Sequence, residues 1–220
     1  MGRNLVLVGT GLFAEVACAY FEEFTDYNVV AFACHESYKA GDEIYGRRLL
    51  AIENLGRDYS SVDADIFVAI GYGQMNKMRQ RVYEEMKERG YSCATFVHPD
   101  VKIWNSTKVG DNVFIFEDNT IQPFTKIGND TILWSGNHLG HHSTIGNHCF
   151  VSSHVVISGS CKIGNNVFIG VNSTLHDSIT IGDECLIGAG AVISKNTEPK
   201  SVYAPPATKV FPKTSDQVGF

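Results

Sequence analysis

A chain of 220 residues, 44% of them hydrophobic, can bury one large core or two small ones, which excludes a disordered or fibrous protein. A formal net charge of −6, a charged fraction of 19% and the lack of any basic run point away from nucleic acid and anionic membranes, towards small molecules or other protein chains. The stretch Met1 to Val8 runs straight into a glycine turn, and no later run approaches the ~20 apolar residues of a membrane span, so a cytoplasmic location is expected.

Asn4 to Val8 reads as a buried strand, followed by Gly9-Thr10-Gly11-Leu12-Phe13-Ala14 and an apolar helix to about Phe24. Tyr27 to Ala33 is a second strand ending at Cys34-His35-Glu36, and Asp65 to Ile70 a third closing on Gly71-Tyr72-Gly73. Met75 to Arg89 is expected to be a helix whose Lys, Arg and Glu residues form a solvated face, and Ser92 to Val97 returns as a strand. Strand-helix alternation makes residues 1–94 a small Rossmann-like α/β domain. The GxGxxA stretch lies between strand and helix, where backbone N–H groups can hold a phosphate. A dinucleotide fold needs two βαβαβ halves and this domain has length for one, so a mononucleotide or sugar nucleotide is the expected ligand. Gly9, Thr10, Gly11, Leu12, His35, Gly71 and Gly73 are its candidate contacts, with ordinary strand-ending turns as the alternative.

From Val97 to Ile193 every sixth residue is Val, Ile or Leu without a miss, an arrangement whose chance probability is on the order of 10⁻¹¹. Two positions before each stands a small or β-branched residue, among them Thr95, Val113, Thr131, Ser143, Cys149 and Cys161, and in a strand both sets point to one interior. Turn formers such as Asp111-Asn112, Asn129-Asp130 and Asn147-His148 follow, so each hexapeptide is a short strand and a corner. Ile/Val-Gly pairs at 109-110, 127-128, 145-146, 163-164 and 181-182 return every eighteen residues, so three hexapeptides close one coil of a triangular parallel β-helix over residues 95–220. Cys149 and Cys185 fall on one face two coils apart and Cys161 on another, too far apart to pair within a chain.

Stacked corners share three edges. One carries Pro123-Phe124, His141-His142 and Gly159-Ser160; a second carries Ser135-Gly136, Ser153-His154, Val171-Asn172 and Ala189-Gly190; the third, with the Asp/Asn/Glu/His corners, reads as ordinary solvated turns. No insertion breaks the register, so chemistry must come from corners and faces, and a slender prism needs neighbours to form a cleft. Trp104 and Trp134 are expected to cover the prism beneath the first domain or a neighbour.

The N-terminal strand and glycine turn, Phe96-Val97-His98-Pro99, and the coils Leu139-Gly140-His141-His142-Ser143-Thr144-Ile145-Gly146 and Ile187-Gly188-Ala189-Gly190-Ala191 are similar to bacterial hexapeptide acyltransferases that N-acetylate nucleotide-linked amino sugars. The resemblance covers nearly the whole chain. It implies a left-handed β-helix, a homotrimer, acetyl-CoA as cosubstrate, no metal, and a UDP- or dTDP-linked amino sugar as acceptor. It places the general base on His141, a residue type that takes protons near neutral pH. His142 stands where relatives carry an acidic residue, and Phe150 where they often carry a second histidine. Gly159, one coil above His141, offers a backbone N–H for a developing oxyanion. The implied path of the coenzyme follows Gly170, Asn172, Gly188, Ala189 and Gly190 to Pro206 and Ala207. Sialic-acid-type sugar O-acetyltransferases share the pattern, and a γ-type carbonic anhydrase or a non-catalytic sugar-nucleotide-binding trimer uses the same prism.

Overall fold

The computed structural model describes residues 2–218. Its first part is a sheet of strands β1 (Asn4–Val8), β2 (Asn28–Cys34), β3 (Glu43–Ile44), β4 (Arg47–Ala51) and β5 (Ala64–Val68), in the order β3-β4-β2-β1-β5. All pairings are parallel except the β3–β4 hairpin, which sequence reading did not foresee. It turns on Tyr45 and Gly46, both at positive φ (50° and 70°), the backbone that suits a two-residue hairpin. Helix α1 (Leu12–Phe24) buries Ala14, Ala17, Cys18 and Phe21, and after the one-turn helix α2 (Leu55–Asp58), helix α3 (Lys77–Glu88) follows β5. The helix expected from Met75 starts later, because Gln74, Met75 and Asn76 are all left-handed. The expected strand at Ser92 shrinks to a Cys93 bridge to Ile66, and the chain enters the second part at Phe96–Val97.

That part is a prism of three parallel sheets in which pairings join residues eighteen apart, as Lys126–Ile127 with Thr144–Ile145, except at the top, where Leu186–Ile187 pairs with Val202–Tyr203. The sixth-residue aliphatics and their small neighbours form one continuous core, from Val101 through Ile115, Leu139 and Cys161 to Ile193. The small residues also tie coils together: Ser143 Oγ donates to Ser158 O and accepts from Cys161 N, and Thr131 does the same between Gly146 O and Cys149 N. All six cysteines are free. Burial pushes the Cys149 thiol up to about 12 and the Cys18 thiol up to about 11. These stacked sheets fit the left-handed hexapeptide β-helix.

From Asn112 to Gly190 every sixth residue takes a left-handed conformation, including Asn112, Asp130, His142, His148, His154 and Asn172 at φ between 51° and 59°. Such backbone disfavours most side chains but suits Asn, Asp and His. Each turn is fixed by a bond to the preceding coil, as Asp130 N to Asp111 O (2.8 Å) and His148 N to Asn129 O (2.8 Å).

What joins the two parts is the outward position of one face. On one face it holds Lys108, Lys126, Thr144, Lys162 and Thr180, and on a second Thr120, His138, Val156, Thr174 and Val192; on the third it holds Phe96, Phe114, Ile132, Phe150 and Phe168. Phe13, Tyr20 and Phe21 of α1 meet this stripe, with Phe13–Phe114 and Phe21–Phe96 centroids 5.6 and 5.5 Å apart, so one aromatic core spans both parts. Trp134 packs into it, beside Phe116 at 4.2 Å and Phe13 at 5.8 Å, as expected of a cover beneath the first domain. Trp104 stays outside it, donating Nε1–H to Ile121 O and stacking under Lys102.

The third edge is solvated on one side only: Asn129, Asn147, Asn165 and Asp183 are exposed. Asn112 and Asp130 are fully buried and His148 and Asn166 nearly so, because β5 and α3 lie on them. Arg79, expected on a solvated helix face, is fully buried there. Its Nε donates to Asp130 Oδ1 (3.0 Å), its Nη2 to Asp130 O and Cys149 O, and its Nη1 to Gly71 O. Asn112 Nδ2 and His148 Nδ1 complete the shell around the Asp130 carboxylate, both at 2.8 Å. Arg79→Met leaves that carboxylate buried without its cation and is expected to cost about 3–5 kcal/mol. Denaturant unfolding measures it, and Arg79→Met/Asp130→Asn should regain part of the loss.

Candidate functional site

The first component is a cleft of about 860 Å³ at the carboxyl ends of β1, β2 and β5. Gly9, Thr10, Gly11, Leu12, His35 and Gly71 line it, whereas Gly73 lies in the adjoining turn outside the lining. Gly9 (φ 145°) permits a close crossing: a Cβ there would stand 2.5 Å from Ala69 O. At Gly11 nothing lies within 4 Å of a Cβ, and no side chain caps α1, so its first N–H groups face the opening. His35 is held between two carboxylates, Nδ1 to Glu53 Oε1 and Nε2 to Glu85 Oε2, both at 3.2 Å. Burial, more than its neighbours' charges, raises the pKa of Cys34 in the cleft wall, which disfavours a nucleophilic thiolate there.

The second component is the histidine edge. His141 and His142 are exposed, with Nδ1 atoms 3.1 Å apart. His141 N donates to Gln122 Oε1 (2.8 Å), and the His142 ring stacks on Phe124 at 4.8 Å. His141 sits over Gly159 so closely that a Cβ on Gly159 would lie 2.7 Å from Cε1 and 2.9 Å from Nε2 of the ring. The Gly159 carbonyl accepts from Ser178 N, while its N–H donates to no carbonyl among the described residues. His154 is seated in the same manner over Gly136 on a different edge, its Nδ1 2.5 Å from where a Cβ would be.

Gly170, Asn172, Gly188, Ala189 and Gly190 stack on the small-residue edge. Asn172 N donates to Ser153 O and Gly190 N to Val171 O, while Gly170 and Gly188 approach the next coil too closely for a side chain. Pro206 and Ala207 are exposed in the segment beyond the top strand Val202–Tyr203. The structure brings these coenzyme candidates to one edge and His141, His142 and Gly159 to another, with the sheet holding His138–Leu139 and Val156–Ile157 between them.

Sequence reading missed a smaller pocket of about 290 Å³ between the two parts, lined by Phe13, Gly71, Tyr72, Trp134, Phe150, Ser152, Ser153 and Val171. Phe13 and Gly71 also line the large cleft, so the two lie side by side. Its signal was present in the eighteen-residue recurrence of outward aromatics at Phe114, Phe150 and Phe168. The turn above it is strained: Gln74, Met75 and Asn76 sit at φ 54°, 54° and 64° in succession, where a left-handed residue costs roughly 1–2 kcal/mol. Among the described residues no group of three or more His, Cys, Asp or Glu is placed to hold a metal, and no helix is long and apolar enough to cross a membrane.

Residues 124–159 and 160–195 match the model of the bacterial transferase hexapeptide (six repeats). No curated protein sequence matches the chain. Among solved structures, the acetyltransferase domain of PglB from Neisseria gonorrhoeae is similar at a TM-score of 0.81 and 20% identity, over 91% of this chain and 96% of that one. PerB from Caulobacter crescentus, in complex with CoA and GDP-perosamine, is similar at 0.78 and 23%, over 90% and 92%. WeeI from Acinetobacter baumannii is similar at 0.76 and 14%, over 91% and 95%. Residues 124–195 therefore carry the bacterial transferase hexapeptide repeat, and about nine-tenths of the chain shares the fold of these three structures, as the sequence resemblance implied.

Gly159→Ala should push the His141 imidazole off its seat and leave His154 in place, with Gly136→Ala doing the reverse. Imidazole NMR resonances of the two variants check this; unchanged His141 signals in Gly159→Ala would refute the seating.

Proposed function

We propose that the protein is an acyltransferase that moves an acetyl group from acetyl-CoA to the amine of a nucleotide-linked amino sugar, using His141 as general base at a site shared between subunits of a homotrimer. The observation that carries the reading is the histidine edge. Among the described residues Nδ1 of His141 is engaged by His142 and Nε2 is left without a partner, beside the unpaired N–H of Gly159. With its proton on Nδ1, donated to His142 Nδ1, His141 presents a basic Nε2; His142 does the orienting that a carboxylate would otherwise do.

The Rossmann-like part, residues 1–94, holds the nucleotide, with the diphosphate at Gly9, Thr10, Gly11 and Leu12 and the nucleoside towards His35. The PerB complex with CoA and GDP-perosamine supports this ligand pair and adds GDP to the nucleotides to be tried. His141 Nε2 takes a proton from the amine as nitrogen bonds to the thioester carbonyl carbon. The Gly159 N–H steadies the oxygen, the carbon–sulfur bond breaks, and His141 returns the proton to the departing thiolate. The small-residue edge, from Gly170 and Asn172 to Gly190, leaves backbone room for the pantetheine arm, with Pro206 and Ala207 towards the adenine end.

Free-thiol release from acetyl-CoA, measured against UDP-, dTDP- and GDP-linked amino sugars and their hydroxyl analogues, tests the reading. His141→Ala should lower turnover about 10²- to 10⁴-fold. Full activity in that variant removes the base from His141, and acetylation of hydroxyl analogues alone turns the reading to O-acetyl transfer. Subunit sharing is tested by mixing His141→Ala with Gly11→Asp, a cleft variant that fits sterically but repels phosphate. Two individually inactive proteins, unfolded and reassembled together, should regain on the order of a quarter of wild-type activity if each site draws on two chains. No recovery would mean that each site is built within one chain.

A further inference from the structure

Tyr72 stands where the large cleft meets the smaller pocket. The residue is 57% exposed although its ring packs on two others, Phe150 and Phe168, each with centroids 5.0 Å away. The side chain is therefore held from below and bare above, facing a concavity whose remaining large walls are Phe13 and Trp134 and whose polar side chains are Ser152 and Ser153.

The backbone carrying Tyr72 is fixed with equal care. Gly71 O accepts from buried Arg79, and Tyr72 O accepts from Asn76 N. Asn76, fully buried at the start of α3, does not cap its helix; its Nδ2 donates across to Val167 O of the prism while its Oδ1 faces Arg79. Three successive left-handed residues are thus maintained by contacts that cross between the two parts of the molecule. Strain held this firmly beside a cavity marks a turn whose shape matters to what the cavity takes.

We propose that Tyr72 is a specificity-determining residue for the glycosyl group: its exposed ring is the platform against which the apolar face of the sugar packs once the nucleotide occupies the large cleft. The inference rests on the nucleotide-sugar reading above and goes beyond it, because it assigns the sugar to the pocket between the two parts. Aromatic packing of this kind is worth about 3- to 10-fold in affinity.

Calorimetric titration of the full chain with UDP, GDP and dTDP, and with UDP-N-acetylglucosamine, GDP-mannose and dTDP-glucose, tests it. In the wild type at least one nucleotide sugar should bind more tightly than its nucleoside diphosphate. Tyr72→Ala should erase that difference while leaving the nucleoside diphosphate within twofold, and Tyr72→Phe should keep it. Tyr72→Leu, which still covers Phe150 and Phe168, should behave as Tyr72→Ala and guards against simple misfolding. A preference that survives both truncations, an equal loss for sugar and diphosphate forms, or a wild type with no preference overturns the proposal and leaves nucleotide binding standing. A wild type that binds none of the six ligands instead removes the nucleotide-sugar reading, and this inference with it.

Discussion

The ion pair between Arg79 and Asp130 is the constraint on which the arrangement of the two parts depends. A buried pair gains little net stability, since desolvation offsets attraction, but leaving either charge alone is costly. Here both side chains are completely buried and every oxygen of Asp130 has a donor. The network therefore penalises any other seating of α3 more than it favours this one. Because the same guanidinium reaches Gly71 O, the turn at the rim of the cleft is registered against the prism by the group that docks the helix. The aromatic stripe supplies adhesion, and the polar network supplies position.

Inside the prism, position comes from repetition. An eighteen-residue register leaves each corner directly over another, so a side chain on one coil is shaped by the residue of the next. Glycine acquires a particular use there. Gly159 and Gly136 are seats, vacant of side chain, on which His141 and His154 lie flat. A histidine at an ordinary exposed corner would explore several rotamers; one resting on a backbone has fewer, which is the preorganisation that proton transfer benefits from.

The prism was legible because its signal is periodic: the aliphatic ladder and the glycine steps carry the fold without reference to distant residues. The glycine turn after β1 was legible for a similar reason, since strand, turn and helix are contiguous. What stayed hidden depends on which surface meets which. Arg79 looks like any charged residue on an amphipathic helix, and Asp130 like any turn former, until α3 is laid on that edge. The hairpin on Tyr45-Gly46 lacks the Asn-Gly or Asp-Gly signature, and the pocket that Tyr72 faces is assembled from residues as far apart in the chain as Phe13 and Val171. The outward phenylalanines could have revealed the docked face, because the same position on the other two faces carries no phenylalanine.

The same register that orders the prism also limits what one chain can do. A side of the triangle is one hexapeptide, and each edge presents its own column of corner residues. His141 lies on one edge, while the small pocket opens at Ser153 and Val171 on another, across the sheet holding His138, Val156 and Thr174. The contacts of His141, to Gln122, His142 and Gly159, all lie at its own edge. A sugar held in this chain's pocket would therefore need a histidine edge from outside the chain, and this chain's histidine edge would need an outside pocket. The spacing of edges alone thus favours a shared site for the proposed reaction, independently of what any relative does.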